Sequence, residues 1–156
     1  MKKILFCLVA IFLLSGCGEK NGFAFFGKDR PYENAISYTK EGDIVVSMEN
    51  KALIIATYLN PIYKDYKDGD YFFVRVYIAN DFEDEKGGLF NPKYHLLLNG
   101  KKPLKIKKLN RDDILAKEMP LTKPWYKIYL VKFPKVKGDK KLIFKSDDYG
   151  QTLLNF

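Results

Sequence analysis

The chain has almost no cysteine: two in 156 residues, Cys7 and Cys17, both near the N-terminus. Everything downstream is therefore without a disulfide framework, a thiolate zinc site or a cysteine nucleophile. Histidine is scarcer still, with His95 alone. An imidazole metal site would lack a second ligand of its kind, and a triad could be assembled only from His95 and a distant serine. His95 falls inside an expected strand, where pairing or packing is the simpler role. No internal repeat or low-complexity run occurs. The expectation is a protein without catalytic residues, cofactor or metal.

What is present begins with the leader. Lys2 and Lys3 precede an unbroken apolar run over residues 4–14, followed by Ser15, Gly16 and Cys17. A positive start, a short apolar stretch and small residues before a break are the marks of an export signal. As a helix that run would reach only about 16 Å, against a hydrocarbon core about 30 Å thick, so it is too short to anchor the chain by spanning.

Leu14-Ser15-Gly16-Cys17 resembles the lipobox of bacterial lipoproteins. The resemblance implies diacylglycerol on the Cys17 thiol, cleavage between Gly16 and Cys17, and acylation of the freed amine, with palmitate-type chains. Each buried methylene contributes about 0.8 kcal/mol, so two or three chains hold a protein on a bilayer where one would be marginal. The alternative is a secreted protein with a chance cysteine after its signal. Gly18, where an aspartate commonly retains such proteins in the inner membrane, favours the outer membrane. The expected organisation is a signal peptide over 1–16, a lipidated tether over 17–30 and one β-sandwich domain over 31–156. Phe23, Phe25 and Phe26 interrupt the tether and could rest in the lipid interface or pack on their own domain.

The full chain is 47% hydrophobic and 29% charged, and the part after the leader is long enough to bury a core without cross-links. Its apolar pattern has period two, broken at short intervals by turn residues, which predicts strands. Residues 35–40 and 43–48 read as a hairpin about Glu41-Gly42, and 52–59 runs apolar until Asn60-Pro61. Residues 71–80 are the clearest strand, with Phe72, Val74, Val76 and Ile78 on one face and Tyr71, Phe73, Arg75 and Tyr77 on the other. Strands at 94–98 and 103–109 flank Asn99-Gly100, a strong hairpin signal, and are expected to pair antiparallel. Further strands are expected at 126–133, 141–145 and 152–156, eight or nine in all. Asn110 is placed to cap a short helix around 111–118, closed by Pro120. Many short antiparallel strands predict an all-β, two-sheet immunoglobulin-like sandwich.

Residues 73–77, Tyr94–Leu98 with its Asn-Gly turn, and 125–133 resemble, as a pattern, small immunoglobulin-like lipoproteins of Campylobacter-like bacteria. That resemblance covers roughly residues 70–156. It implies a surface or periplasmic binding role, adhesion included, and departs from antibody-type domains in lacking the inter-sheet cysteine pair.

The formal charge is +8, of which Lys2 and Lys3 would leave with the leader. A basic surface favours anionic partners, such as phospholipid head groups, lipopolysaccharide phosphates or acidic polymers. The densest basic stretch comprises Lys101, Lys102, Lys105, Lys107, Lys108 and Arg111, and in a strand Lys105 and Lys107 share a face opposite Leu104 and Ile106. It reads either as an anion-binding stripe or as an edge strand guarded against aggregation by lysine. Asp65, Asp68 and Asp70, and separately Asp81, Glu83, Asp84 and Glu85, could offer oxygen ligands to calcium. Neither set has EF-hand spacing, and Lys64, Lys67 and Lys86 intervene, so solvated loops are expected. Trp125, Tyr126 and Tyr129, with the outer face of Tyr71, Phe73 and Tyr77, offer aromatics for a protein or glycan partner or for packing.

The sequence thus predicts a non-catalytic binding or interaction module held to the bilayer through acyl chains on Cys17, meeting an unknown protein or glycan and no nucleic acid. The alternative is a structural accessory subunit of an envelope assembly.

Overall fold

A computed structural model of the chain describes residues 31–81, 84 and 86–156. The leader, Cys17, the Phe23, Phe25 and Phe26 segment, Glu83 and Glu85 lie outside the described residues. The order is helix α1 (Pro31–Ser37), β1 (Thr39–Val46), β2 (Glu49–Tyr58), β3 (Asp70–Ile78), a 3-10 turn (Gly88–Phe90), β4 (Tyr94–Leu98), β5 (Lys105–Leu109), helix α2 (Ile114–Glu118), β6 (Lys127–Phe133), β7 (Lys141–Ser146) and β8 (Gly150–Asn155). Two antiparallel sheets form, ordered β1-β2-β3-β6-β5 and β4-β7-β8. Strands β2 to β8 thereby reproduce the A to G order of an immunoglobulin constant-type domain, A-B-E-D against C-F-G. Strand β1 is an addition beyond A.

The core follows from alternation. Phe72, Val74, Val76 and Ile78 of β3 face inward with Ala52, Ile54 and Ala56 of β2 and Tyr129, Val131 and Phe133 of β6. They meet Tyr94, Leu96 and Leu98 of β4, Leu142 and Phe144 of β7, and Leu154 of β8. A large apolar side chain buried this completely contributes about 1.5–3 kcal/mol. Strands β3 and β7, which a disulfide joins in antibody domains, share this core through Phe72, Val74, Leu142 and Phe144 instead.

Two expected hairpins are corrected. Glu41-Gly42 is not a turn, because both residues lie inside β1, and residues 35–37 belong to α1. The real turn is Ser47-Met48, with positive φ of 52° and 65°, as a two-residue type I′ connection requires. Gly42 is glycine for a different reason: a Cβ there would lie 2.5 Å from Thr152 Oγ1 and 2.9 Å from Leu154 Cδ2 of β8. Strand β1 and the other sheet approach too closely for a side chain.

Asn99-Gly100 does form a tight turn, with φ of 47° and 78° and reciprocal backbone bonds between Leu98 and Lys101. The flanking strands nevertheless do not pair; β4 pairs with β7 and β5 with β6. Asn99 is claimed by β7, its Oδ1 accepting from Lys141 N at 2.7 Å and its Nδ2 donating to Asp139 O at 3.0 Å. Pro103 then has no N–H to continue a ladder, and the chain crosses to the other sheet. The helix begins later than expected, at Ile114. Asp113 stands at its cap, its Oδ2 accepting from Asn110 N at 2.8 Å.

The five-stranded sheet is covered on both faces. Behind it, Leu59, Phe73, Leu109 and Ile128 pack with Ala35 of α1, Ala116 of α2 and Met119. Asn60 shapes one part of this cover, donating from Nδ2 to the carbonyls of Tyr66 and Gly69 at 2.7 and 2.8 Å and accepting from Tyr71 N at 2.8 Å. Tyr63 OH donates to Glu118 Oε2 at 2.5 Å, joining the same loop to α2. The outward residues of β3 are therefore roofed by loops and helices.

Within this second layer Arg75 is wholly buried. Its Nη1 donates to Pro120 O, its Nη2 to Thr57 Oγ1 at 2.7 Å and its Nε to Ile55 O at 3.4 Å. The guanidinium lies 5.0 Å from the Phe73 ring centre. Among the described residues no carboxylate forms an ion pair with it. Burial draws its pKa down to about 10, so it stays charged at neutral pH. Thr39 Oγ1 donates to Ala35 O at 2.7 Å and lies 2.7 Å from Thr57 Oγ1. Thr39 has spent its one hydroxyl proton, so Thr57 donates to Thr39, and bonding runs one way from Arg75 to the end of α1.

Two stability predictions follow from these contacts. Thr57→Val, which keeps shape but leaves a buried guanidinium donor unpaired, is expected to cost about 1–3 kcal/mol in urea unfolding. Gly42→Ala should lose about 1–3 kcal/mol by overpacking, with Thr152→Ala in the same chain recovering part; equal unfolding midpoints for Gly42→Ala and the parent would contradict the close approach.

Candidate anion-binding site

Strand β5 is an edge strand, and its register decides which lysines can act together. Lys105 stands opposite Lys132, Lys107 opposite Leu130 and Leu109 opposite Ile128; Tyr71 is the partner of Lys132 on the other side of β6. Tyr71, Lys105, Lys107, Leu130 and Lys132 thus line one open cavity of about 230 Å³ on the outer face. Ile106 points the other way and packs on the inner core. Lys108 shares that opposite parity. Lys101 and Lys102 stand in the turn after β4, and Arg111 in the turn before α2, all exposed. Of the six basic residues read from the sequence, the fold brings Lys105 and Lys107 into one cavity and adds Lys132. Leu104, expected opposite them, precedes the strand and is exposed.

Like charges directly opposite across strands repel, and Lys105 faces Lys132. One neutralising group is present: Asp68 Oδ2 accepts from Lys132 Nζ at 2.5 Å, and its Oδ1 accepts from Tyr71 OH at 2.7 Å. These bonds hold the Asp68 carboxyl below its usual pKa, the lysine being the larger influence, and Asp68 raises Lys132 in turn. Lys132 Nζ also lies 5.4 Å from the Tyr71 ring centre. Lys105 and Lys107 form no ion pair among the described residues. A carboxylate, sulfate or phosphate group between them would relieve the repulsion and gain charge-assisted hydrogen bonds. Tyr66 stacks on Tyr71 at 4.5 Å, which fixes the ring beside the cavity.

The other residues singled out from sequence do not converge. Asp70 is buried and accepts from Tyr58 OH at 2.8 Å and Val136 N at 2.7 Å; Asp65 is exposed. In the second loop Asp81 Oδ2 accepts from Gly88 N and Asn91 Nδ2. Lys127 Nζ reaches across to this loop, donating to Asp81 O at 2.6 Å and to Asp84 O. Among the described residues no group of three or more His, Cys, Asp or Glu side chains is arranged to hold a metal. His95 Nε2 lies 3.0 Å from Asp147 Oδ1 at the surface.

Tyr129 is core, its hydroxyl donating to Gly87 O at 3.2 Å. Trp125 is half exposed and Tyr126 is partly covered. Lys127 and Lys132 were missed because each acts across the fold. The period-two pattern of β6, which places Lys132 with Leu130 and Ile128, was the available signal for the latter.

Fold and site together define an immunoglobulin-like β-sandwich with a lysine-lined cavity on one sheet face. Comparison with protein-family models, with curated proteins and with solved structures finds no match to the chain.

If the cavity holds an anion, Lys105→Glu with Lys107→Glu should abolish the binding of inorganic phosphate at low salt read by titration calorimetry, with circular dichroism unchanged. Phosphate binding equal to the parent would leave the two lysines as guards of an edge strand.

Proposed function

We propose that the protein is a cell-envelope lipoprotein, anchored by acyl chains on Cys17, whose sandwich serves as a non-catalytic binding module for an anionic group. The observation that carries the anchor is the small-small-cysteine sequence Ser15-Gly16-Cys17 directly abutting the apolar run of residues 4–14. Gly18 favours the outer membrane as its address. The binding role draws on the Lys105, Lys107 and Lys132 cavity, in which Asp68 pairs with Lys132 alone, and the charge left on Lys105 and Lys107 suits a phosphate- or carboxylate-bearing lipid or glycan. Adhesion is one expression of such a role, and an accessory subunit of an envelope assembly is the other. Among the described residues no helix is long and apolar enough to cross a membrane.

The test is chemical. Mass spectrometry of the N-terminal peptide from the native source should find Cys17 as the first residue, carrying diacylglycerol, and Cys17→Ser should accumulate as uncleaved precursor. A bare thiol on an intact leader would remove the anchor.

A further inference from the structure

Where the connection from β3 to β4 meets the turn between β7 and β8, the molecule has an open cavity of about 200 Å³. Its lining includes Lys51 of β2, Asn80, Asn91 and Lys93 of the connection, and Asp148 and Tyr149 of the turn. It shares no residue with the lysine cavity. In the immunoglobulin order these are the B–C and F–G loops, two of the loops that antibody variable domains use for recognition. The wall is preformed. Asn91 Nδ2 donates to Asp81 Oδ2 at 2.9 Å, and its Oδ1 accepts from Lys93 N at 3.0 Å. Asp147 N donates to Lys93 O at 2.9 Å, a bond that crosses between the two loops and fixes their separation. A site assembled before its ligand arrives loses less affinity to ordering.

Each charged residue in the wall already has an opposite partner. Lys93 Nζ donates to Asp148 Oδ2 at 2.8 Å, Lys51 Nζ donates to Glu49 Oε2 at 2.5 Å, and Asp81 Oδ1 lies 4.0 Å from Lys127 Nζ. No single sign prevails, unlike the face of Lys105 and Lys107, so an isolated ion would have to break a pair to bind. A hydroxyl group would not, because an ammonium has three donors and a carboxylate about four acceptor sites. Lys93 and Asp148 therefore present a charged donor and a charged acceptor side by side. Neighbouring hydroxyls on one ring satisfy both, one accepting and the other donating, in charge-assisted bonds. Tyr149 is 36% exposed and offers aromatic surface to the C–H face of the same molecule. Lys51 Nζ lies 5.9 Å from the centre of that ring. The volume equals about six or seven waters of the liquid, the size of one sugar ring. We infer that this cavity binds a neutral sugar, held by the Lys93–Asp148 pair with its ring against Tyr149. The module thereby gains a second ligand class, and the inference does not depend on the anchor or on the lysine cavity.

The test is amide NMR of the full chain in detergent micelles, titrated to high millimolar concentration with glucose, galactose, mannose and N-acetylglucosamine, and separately with phosphate and ethanolamine. At least one sugar should shift the amides of Asn80, Lys93, Asp148 and Tyr149 saturably. Tyr149→Ala removes the ring from an exposed turn, and Lys93→Met keeps the stem of the side chain while removing the donor beside Asp148. Each should weaken that sugar about tenfold or more, with the amide spectrum of the core unchanged. Any of these results would overturn the inference: no sugar of the set moves these amides; phosphate or ethanolamine moves them more strongly than any sugar, showing that the pairs open for an ion; the sugar's shifts fall on Lys105–Leu109 instead; or both variants bind the sugar like the parent.

Discussion

A buried guanidinium that no carboxylate pairs with among the described residues organises the outer half of this molecule. Arg75 sits in the middle of the central strand β3, on the face that a plain sandwich would leave wet, and stays charged at neutral pH. Desolvating such an ion costs several kcal/mol, and here three oxygen dipoles from two separate segments offset that cost. Ile55 and Thr57 come from β2, Pro120 from the stretch after α2, and Thr57 passes the bonding on to Thr39 and the end of α1. The roof over the sheet is thereby tied to β3 by directional bonds as well as by the apolar contacts of Ala35, Ala116 and Met119. Those contacts alone would permit α1 and the 119–121 stretch to slide.

The inner half is held mainly by apolar packing. The strand order is that of an immunoglobulin domain, yet the landmarks that hold antibody domains together are missing: there is no inter-sheet disulfide, and Trp125 lies outside the strands. Apolar packing in the shared core does the joining, Phe72 and Val74 of β3 with Leu142 and Phe144 of β7, while the aromatic pairs lie each within one sheet, Tyr94 stacked on Phe144 at 5.6 Å and Phe72 edge-on to Phe133 at 5.8 Å. At the flank where β1 meets β8, glycine 42 lets the two sheets close.

How much of this could be read beforehand depended on the range of the determining contact. The alternation in β3 was legible because it is local, and both of its faces were assigned correctly to their neighbours in sequence. The sandwich followed from the spacing of strands and turns. Glu41-Gly42 misled because glycine marks close approach as readily as a turn, and only β8, over a hundred residues away, distinguishes the two. Asn99-Gly100 had the backbone of a hairpin turn and made the turn, but Asn99 and Pro103 sent the following strand elsewhere, so no hairpin formed. The site behaved in the same way: Lys105 and Lys107 were visible as a pair, whereas Lys132 reached them only through the register of β6. Arg75 read as one outward residue among aromatics, since nothing nearby in sequence announces a roof.

The Lys127 ammonium, lodged among the carbonyls of Asp81 and Asp84, gives the long connection between β3 and β4 a covalently tethered counter-ion. Many acidic loops borrow such a charge from dissolved calcium and lose their shape when it is withdrawn. Here a side chain of β6 supplies a positive charge to two of those carbonyls, so the described part of the loop is coupled to the register of β6.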